Sequence, residues 1–191
     1  MTDNPFASFI DYNQVIDNDY VTLSPMNPGY WAYLLKNEEG CTVTDFLSHK
    51  RFNVGTTFTS SFSHQRKTVH CRNFAVRLTN EVSMDAQLYP AGECIGCLQF
   101  EHDGEALKLY FWLTRAFCNV GFERKILRIA LSVYRQYFSD TELHATVAMR
   151  DNETALQLLI DIKASINEYS TMMQSGKTTI EVRDINLSHS L

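Results

Sequence analysis

The residues of this chain with the most obvious capacity for chemistry are two cysteines with the spacing of redox and zinc sites. Cys94 and Cys97 form a C-x-x-C pair around Ile95 and Gly96. No second C-x-x-C or H-x-H pair accompanies them, whereas a structural zinc site needs four convergent ligands. Residues 93–100 read as a strand, in which positions three apart point to opposite faces. We therefore expect neither redox chemistry nor a metal site here.

Three further side chains are candidates for catalysis. Cys118 lies near a predicted helix start, which lowers the pKa of a thiol, but no paired histidine is evident. His144 has a reference pKa near ~6.5 and could act as a base at neutral pH, or be a surface or hydrogen-bonded histidine. Tyr110 could act as an acid or be one more aromatic residue of a strand. Each of these residues thus has a structural alternative.

The main electrostatic feature is a basic segment, residues 50–72. It holds five basic residues, two histidines and no acid: Lys50, Arg51, Arg66, Lys67, Arg72, His64 and His70. The whole chain has 17 basic and 22 acidic residues, and therefore a formal charge of −5. The segment could meet a phosphate or an acidic partner, or be a solvated face balanced by carboxylates elsewhere. The acidic balance of the chain argues against general nucleic-acid binding.

The composition describes one ordinary globular domain. The chain has 191 residues, 45% of them hydrophobic, which suffices for a sizeable core and a ligand cleft. No run of apolar residues is long enough to span a membrane, and the first five residues lack the features of a signal peptide. An odd number of cysteines, five, favours reduced thiols. We expect a single cytoplasmic domain over residues 1–191, without a membrane segment.

Hydrophobic patterns predict the elements that must position the candidate residues. We expect strands at residues 20–23, 73–78, 93–101, 106–113, 143–148 and 178–182, and helices at residues 29–37, 43–50, 121–138 and 153–166. The turn at residues 102–105 predicts an antiparallel hairpin. The order of elements predicts an α+β, or mixed α/β, domain with helices packed on a mostly antiparallel sheet.

Several segments between residues 74 and 166 carry a family resemblance. They are Cys94-Ile95-Gly96-Cys97-Leu98, Leu109-Tyr110-Phe111-Trp112-Leu113, Gly121 at a helix start, Leu143-His144-Ala145-Thr146-Val147 and Asn152-Glu153-Thr154-Ala155-Leu156. In this order they resemble the third strand, the fourth strand, the loop glycine, the fifth strand and the following helix of the GNAT superfamily of acyl-CoA N-acyltransferases. Within that superfamily, the resemblance is to the ribosomal-protein N-terminal alanine acetyltransferase type.

The resemblance implies direct transfer of an acetyl group from acetyl-CoA to a primary amine, on a protein N terminus or a small molecule. In the family, the loop before the long helix binds the coenzyme pyrophosphate through backbone N–H groups, and glycine lets the phosphate approach. The implied coenzyme-binding residues are Leu113, Arg115, Asn119, Val120, Gly121, Phe122, Glu123, Arg124 and Asn152. His144 and Tyr110 are the predicted catalytic residues, and the resemblance implies that a backbone N–H of Leu113 or Trp112 would polarise the thioester carbonyl. Asn152 can also cap its helix, and a homodimer is compatible with the family.

The loop itself departs from the family pattern. The family reads Gln/Arg-x-x-Gly-x-Gly/Ala, whereas residues 118–123 here read Cys-Asn-Val-Gly-Phe-Glu and keep only the central glycine. Glu123 would repel a bound diphosphate, although a first-turn glutamate also stabilises a helix by about 0.3–1 kcal/mol. Leu159 stands where many members have a tyrosine acid. The alternative hypothesis is therefore a catalytically inactive GNAT-fold binding or regulatory protein.

Overall fold

The computed structural model of the protein describes residues 16, 17, 19–38, 70–102, 104–118, 120–148, 153–175 and 178–190. The predicted helix at residues 43–50, the basic segment up to residue 69, Asn119 and Asn152 lie outside the described residues. Within the described ranges, no helix is long and apolar enough to cross a membrane.

The described elements follow the predicted order over most of the chain. The strands are β1 (Ile16–Asp17), β2 (Val21–Pro25), β3 (His70–Leu78), β4 (Val82–Met84), β5 (Gln87–Tyr89), β6 (Cys94–His102), β7 (Leu107–Leu113), β8 (Leu143–Ala148), β9 (Ser165–Ser175) and β10 (Thr178–Asn186). The helices are α1 (Pro28–Glu38), α2 (Phe122–Tyr137) and α3 (Glu153–Asp161), with a 3-10 turn at Arg115–Phe117. The strands β1, β4, β5 and β9 have no counterpart in the sequence predictions.

The strands form a mostly antiparallel sheet, as predicted. Eight of the described strands pair in the order β1-β2-β3-β6-β7-β8-β10-β9, while β4 and β5 form a separate hairpin. The predicted hairpin of β6 and β7 is present, with Gly96 opposite Leu113 and His102 opposite Leu107. In the sheet only β7 and β8 run parallel among the described strands. They can do so because α2 carries the chain back to the end of the sheet where β7 began.

Helices pack on both faces of the sheet. On one face, alternate residues of β7 such as Leu109 and Phe111 join the buried stripe of α2, which includes Ile126 and Ala130. The apolar side of α3 packs into the same cluster. On the other face, Trp112 of β7 packs with α1. Each fully buried large apolar side chain contributes about 1.5–3 kcal/mol, so both clusters hold the strands around β7 in place.

The C-x-x-C pair differs from its prediction. The register between β3 and β6 skips Ile95, between Cys94 and Gly96, and this bulge shifts the alternation of side chains by one residue. Cys94 and Cys97 therefore lie in one cluster against α1, and the expectation of opposite faces is wrong. Burial raises the pKa of Cys94 to about 12 and that of Cys97 well above its usual value, which disfavours thiolate chemistry. In the described part of the chain no group of three or more potential ligands could hold a metal ion.

The helix α3 is shorter than predicted. It ends at Asp161 rather than at residue 166, because Lys163 adopts a left-handed conformation with φ 58°. The N–H of Ala164 donates to the carbonyl of Leu159 at 3.0 Å, and that of Lys163 donates to Ile160 at 2.9 Å. This pair of hydrogen bonds is a Schellman cap, which normally carries glycine. Because lysine rather than glycine occupies the cap, the sequence does not indicate that the helix ends here.

Candidate active site

The parallel strands β7 and β8 are joined along only a small part of their length. They contain 7 and 6 residues, but only Leu107 with Leu143 and Lys108 with His144 are registered pairs. Beyond these pairs the two strands separate, and a gap opens between them toward their carboxyl ends. These strand ends, near the start of α2, form one edge of the sheet. In open sheets with parallel strands, this is the edge at which ligands bind.

The backbone of β7 lines one wall of this gap. The N–H of Leu107 donates to Glu142, on the side of β8, at 2.8 Å, and the N–H of Thr114 donates toward β6 at 2.8 Å. Successive N–H groups of a strand point to opposite sides, and the β6–β7 register is unbroken from residue 107 to residue 113. The N–H of Leu113 therefore points toward the gap, and that of Trp112 points toward β6. Of the two predicted carbonyl-polarising donors, the geometry favours Leu113.

Gly96 sets the position of this donor. A Cβ atom at Gly96 would lie 2.3 Å from the carbonyl oxygen of Trp112 and 3.2 Å from the Cα of Leu113. Only glycine lets β6 approach the end of β7 this closely. In the sequence, Gly96 contributes only to the family resemblance, and no role was predicted for it. The available signal was a glycine inside an otherwise apolar strand.

The start of α2 lies at the same edge as the open end of the gap. Gly121 caps the helix with φ 90°, and a Cβ atom there would meet nothing within 4 Å. The first N–H groups of a helix and its positive dipole end favour an anion, and the open space gives a phosphate group access to them. In the loop before Gly121, Arg115 is exposed and Val120 is 52% exposed.

The three predicted residues after Gly121 have different environments. Phe122 is buried, and its ring packs edge-on against Phe117 with the centroids 5.2 Å apart. Arg124 is exposed, and its guanidinium lies 3.6 Å from the carboxylate of Asp161 at the end of α3. Phe122 therefore contributes to the core, while Arg124 is the accessible cation. Their roles in coenzyme binding stay predictions.

Glu123 is a buried acid in the first turn of α2. Its exposed fraction is only 6%. Ile126 and Leu127, three and four residues later, are fully buried, so Glu123 lies on the side of the helix that faces the core. A carboxylate thus lies close to the place where a helix start would bind a phosphate group.

His144 lies at the closed end of the gap. It is registered with Lys108, about 17 Å from Leu113 at about 3.3 Å for each residue of β7. Its Nδ1 lies 3.0 Å from Asp184 and its Nε2 lies 3.0 Å from Glu142. Burial lowers the pKa of the ring, but the two carboxylates outweigh burial and raise the pKa above its usual 6.5. The catalytic role of His144 stays a prediction, and the geometry favours a structural imidazolium.

A pH dependence of stability follows from these contacts. Because the folded state raises the pKa of His144, the imidazolium stabilises the fold fully below the pKa of the unfolded chain. That contribution is lost as the pH rises through the folded-state pKa. The stability advantage of the wild type over His144→Gln should therefore be larger at about pH 5.5 than at about pH 8.5. Urea unfolding measures it, and the change should be about 1 kcal/mol or less, because both carboxylates are exposed. A pH-independent difference would contradict the ion pairs.

Tyr110 is the remaining predicted catalytic residue. Its side chain is buried, with 6% exposed, three positions before Leu113 on β7 and on the face of the sheet that carries Trp112. Its role as an acid stays a prediction. The structure thus places Leu113, Arg115, Gly121 and Arg124 at the edge where the gap opens, and His144 at its closed end.

Several solved structures with a similar fold are acetyltransferases. The chain superposes on spermidine N-acetyltransferase from Vibrio cholerae, solved with CoA and spermine, with a TM-score of 0.61 and 14% identity, over 88% of this chain and 95% of that chain. A ribosomal L7/L12 α-N-protein acetyltransferase, RimL, gives a TM-score of 0.61 at 12% identity over 91% and 93% of the two chains. The acetyltransferase from Salmonella typhimurium that modifies the N-terminal serine of L7/L12 gives 0.57 at 14% identity over 90% and 98%.

No protein-family model and no curated protein matches the sequence. The structural likenesses show that this chain has the GNAT acetyltransferase fold. The fold predicted from the order of elements is confirmed, as is, at the level of the fold, the resemblance to GNAT acetyltransferases.

Proposed function

We propose that this protein transfers an acetyl group from acetyl-CoA directly to a primary amine. The observation that carries the proposal is the gap between β7 and β8, which are paired only at Leu107–Leu143 and Lys108–His144. Its open end has the Leu113 N–H on one wall and the start of α2 beside it. A thioester needs a donor at its carbonyl oxygen, and a diphosphate needs a helix start. The two features lie at one edge of the sheet.

Each group of the proposed site would have its own role in binding or transfer. Bound acetyl-CoA supplies a thioester, and the N–H of Leu113 would donate to its carbonyl oxygen. The N–H groups of Asn119, Val120 and Gly121 and of the first turn of α2 would hold the diphosphate. The exposed cations Arg115 and Arg124 would balance its charge, and the resemblance implies a contact of Asn152 with the coenzyme arm. Tyr110 and His144 are the residues predicted for proton transfer, and Tyr110 is the nearer of the two to Leu113 along β7.

The acceptor we propose is a primary amine, on a protein N terminus or a small molecule. Both classes are represented among proteins of the same fold, since one is named for spermidine and another for a ribosomal protein N terminus. We further propose that residues 1–191 form one domain that acts in the cytoplasm. A homodimer is compatible with this proposal.

The test is titration calorimetry of the purified chain with acetyl-CoA and with free coenzyme A. We expect micromolar binding of both ligands. Mass spectrometry would then detect acetylation in a panel of polyamines and of peptides with free N termini. Binding without transfer to any amine would favour an inactive protein. No heat with either ligand up to millimolar concentrations would rule out the coenzyme site.

The alternative, a GNAT-fold protein without catalysis, is favoured by one observation, the buried carboxylate of Glu123 at the start of α2. A unit charge about 4 Å from a phosphate costs about 4 kcal/mol at an effective dielectric constant of 20. Glu123→Gln should therefore bind acetyl-CoA at least about tenfold more tightly than the wild type, equivalent to about 1.4 kcal/mol. Calorimetry measures this, with the exposed and distant Glu105→Gln as the control. Equal affinities of Glu123→Gln and the wild type would show that the carboxylate does not oppose the coenzyme.

A further inference from the structure

An arginine of β10 lies one strand away from the gap. Arg183 is registered opposite Val147 of β8, so β8 alone separates it from the gap, and neighbouring strands are about 4.8 Å apart. The pairing of β10 with β8 is unbroken from Val182 to Asn186, so Arg183 lies on the same face of the sheet as Ile185, although the register with β9 shifts between these two residues. Ile185 is fully buried in the main core, to which α2 and α3 contribute. The Arg183 side chain therefore leaves the backbone on the face of the sheet that the main core covers.

The guanidinium is incompletely satisfied by the described part of the protein. The Arg183 side chain is half-buried, and its Nε is buried without a hydrogen-bond partner among the described residues. The adjacent carboxylate, Asp184, lies on the opposite face of β10 and contacts His144 at 3.0 Å.

Such a group needs an acceptor. An arginine stays charged at every physiological pH, and a buried donor of a charged group is costly when nothing accepts its hydrogen bond. A buried unsatisfied polar atom in a folded protein commonly marks the place of an ion or water. Guanidinium groups bind carboxylate and phosphate oxygens best, because the two planar groups match in geometry.

We propose that Arg183 binds an oxyanion, a phosphate or carboxylate group of the ligand that enters the gap between β7 and β8. The source of the oxyanion rests on the proposed function. It is either the 3′-phosphate of the coenzyme or a carboxylate at the far end of the acyl group, as in succinyl-CoA. Neither source is the diphosphate that the start of α2 would hold, so Arg183 adds a second anion contact to the site.

The first test needs no coenzyme. Thermal unfolding is followed with increasing inorganic phosphate and, separately, with succinate, for the wild type, Arg183→Met and Arg183→Lys. Because an anion that binds only the folded state stabilises it, at least one of the two should raise the midpoint of the wild type and of Arg183→Lys but not of Arg183→Met. Without anions, Arg183→Met should be at least as stable as the wild type. Equal responses of all three proteins, or a large loss of stability in anion-free Arg183→Met, would overturn the proposal.

The second test identifies the source of the oxyanion. If it is the 3′-phosphate, the wild type should bind coenzyme A at least about tenfold more tightly than dephospho-coenzyme A. If it is an acyl carboxylate, succinyl-CoA should bind more tightly than acetyl-CoA by a similar factor. Arg183→Met should lose whichever preference the wild type has, whereas Arg128→Met, which removes an exposed arginine of α2, should keep it.

The two tests separate the two proposals. If inorganic anions stabilise the wild type through Arg183 but no coenzyme binds, the anion site stands and the proposed acetyl transfer fails. If the coenzymes bind but neither a preference nor an anion response depends on Arg183, the anion site fails, whereas the coenzyme site of the proposed function stands.

Discussion

Replacing Gly121 by tryptophan is expected to reduce the affinity for acetyl-CoA at least about 100-fold, or about 2.8 kcal/mol, while the domain stays folded. The reason is steric, because the space beside Gly121 is open and an indole would fill it where the diphosphate approaches the start of α2. At φ 90°, a residue other than glycine also costs about 1–2 kcal/mol of stability. Calorimetry measures the affinity, and urea unfolding measures the stability.

A matched control is available at Gly104. Its φ is +106°, and a Cβ atom there would also meet nothing within 4 Å, but it lies in the β6–β7 turn at the other end of these strands. Gly104→Trp should therefore lose a similar amount of stability and keep its affinity for acetyl-CoA. Equal affinities of the two variants for acetyl-CoA would show that the start of α2 is not part of the coenzyme site.

Gly96→Ala should destabilise the domain by about 2–3 kcal/mol, at the upper end of the effects of overpacking. The added Cβ atom would lie 2.3 Å from the carbonyl oxygen of Trp112, and neither backbone can move without disturbing the β6–β7 register. Because the displacement reaches Leu113, acetyl transfer should fall further than stability alone explains. Urea unfolding and turnover at a temperature where the variant is folded measure the two effects.

Gly29→Ala is the comparison for that substitution. At Gly29 the nearest atom to a new Cβ is the side-chain Oδ1 of Asn27, at 3.2 Å. This oxygen accepts the N–H of Tyr30 at 3.0 Å, and a shift of a few tenths of an ångström relieves the contact. Alanine also restricts the unfolded chain, so the stability should change by less than about 1 kcal/mol. If Gly96→Ala were as mild as Gly29→Ala, β6 and β7 would not need their close approach.

The features that the sequence predicts well depend on residues that are close together in the chain. The apolar stripe of α2 predicted a helix at residues 121–138, and the structure has one at Phe122–Tyr137. The alternating residues of β6 and β7 with a polar turn between them predicted their hairpin. Gly121, expected at a helix start, is the residue that caps α2.

The features that the sequence could not predict depend on contacts between distant segments. The bulge at Ile95 arises from the pairing of β6 with β3, so the alternation within β6 alone assigned Cys94 and Cys97 to the wrong faces. The left-handed Lys163 that ends α3 is held by tertiary structure, since lysine has no preference for that conformation. The separation of β7 from β8 and the environment of Arg183 likewise depend on strands far apart in the chain.

The direction of the Leu113 N–H has a consequence for how this site can change during evolution. A ligand held by a backbone amide is indifferent to the side chain on that residue, so substitutions along β7 can accumulate without removing the contact. Selection would instead act on the positions that must lack a side chain. These are Gly96, where two strands come close, and Gly121, where the backbone must stay accessible to a ligand. Such a site would be marked by glycines rather than by reactive residues, and solved structures only 12–14% identical to this chain share its fold.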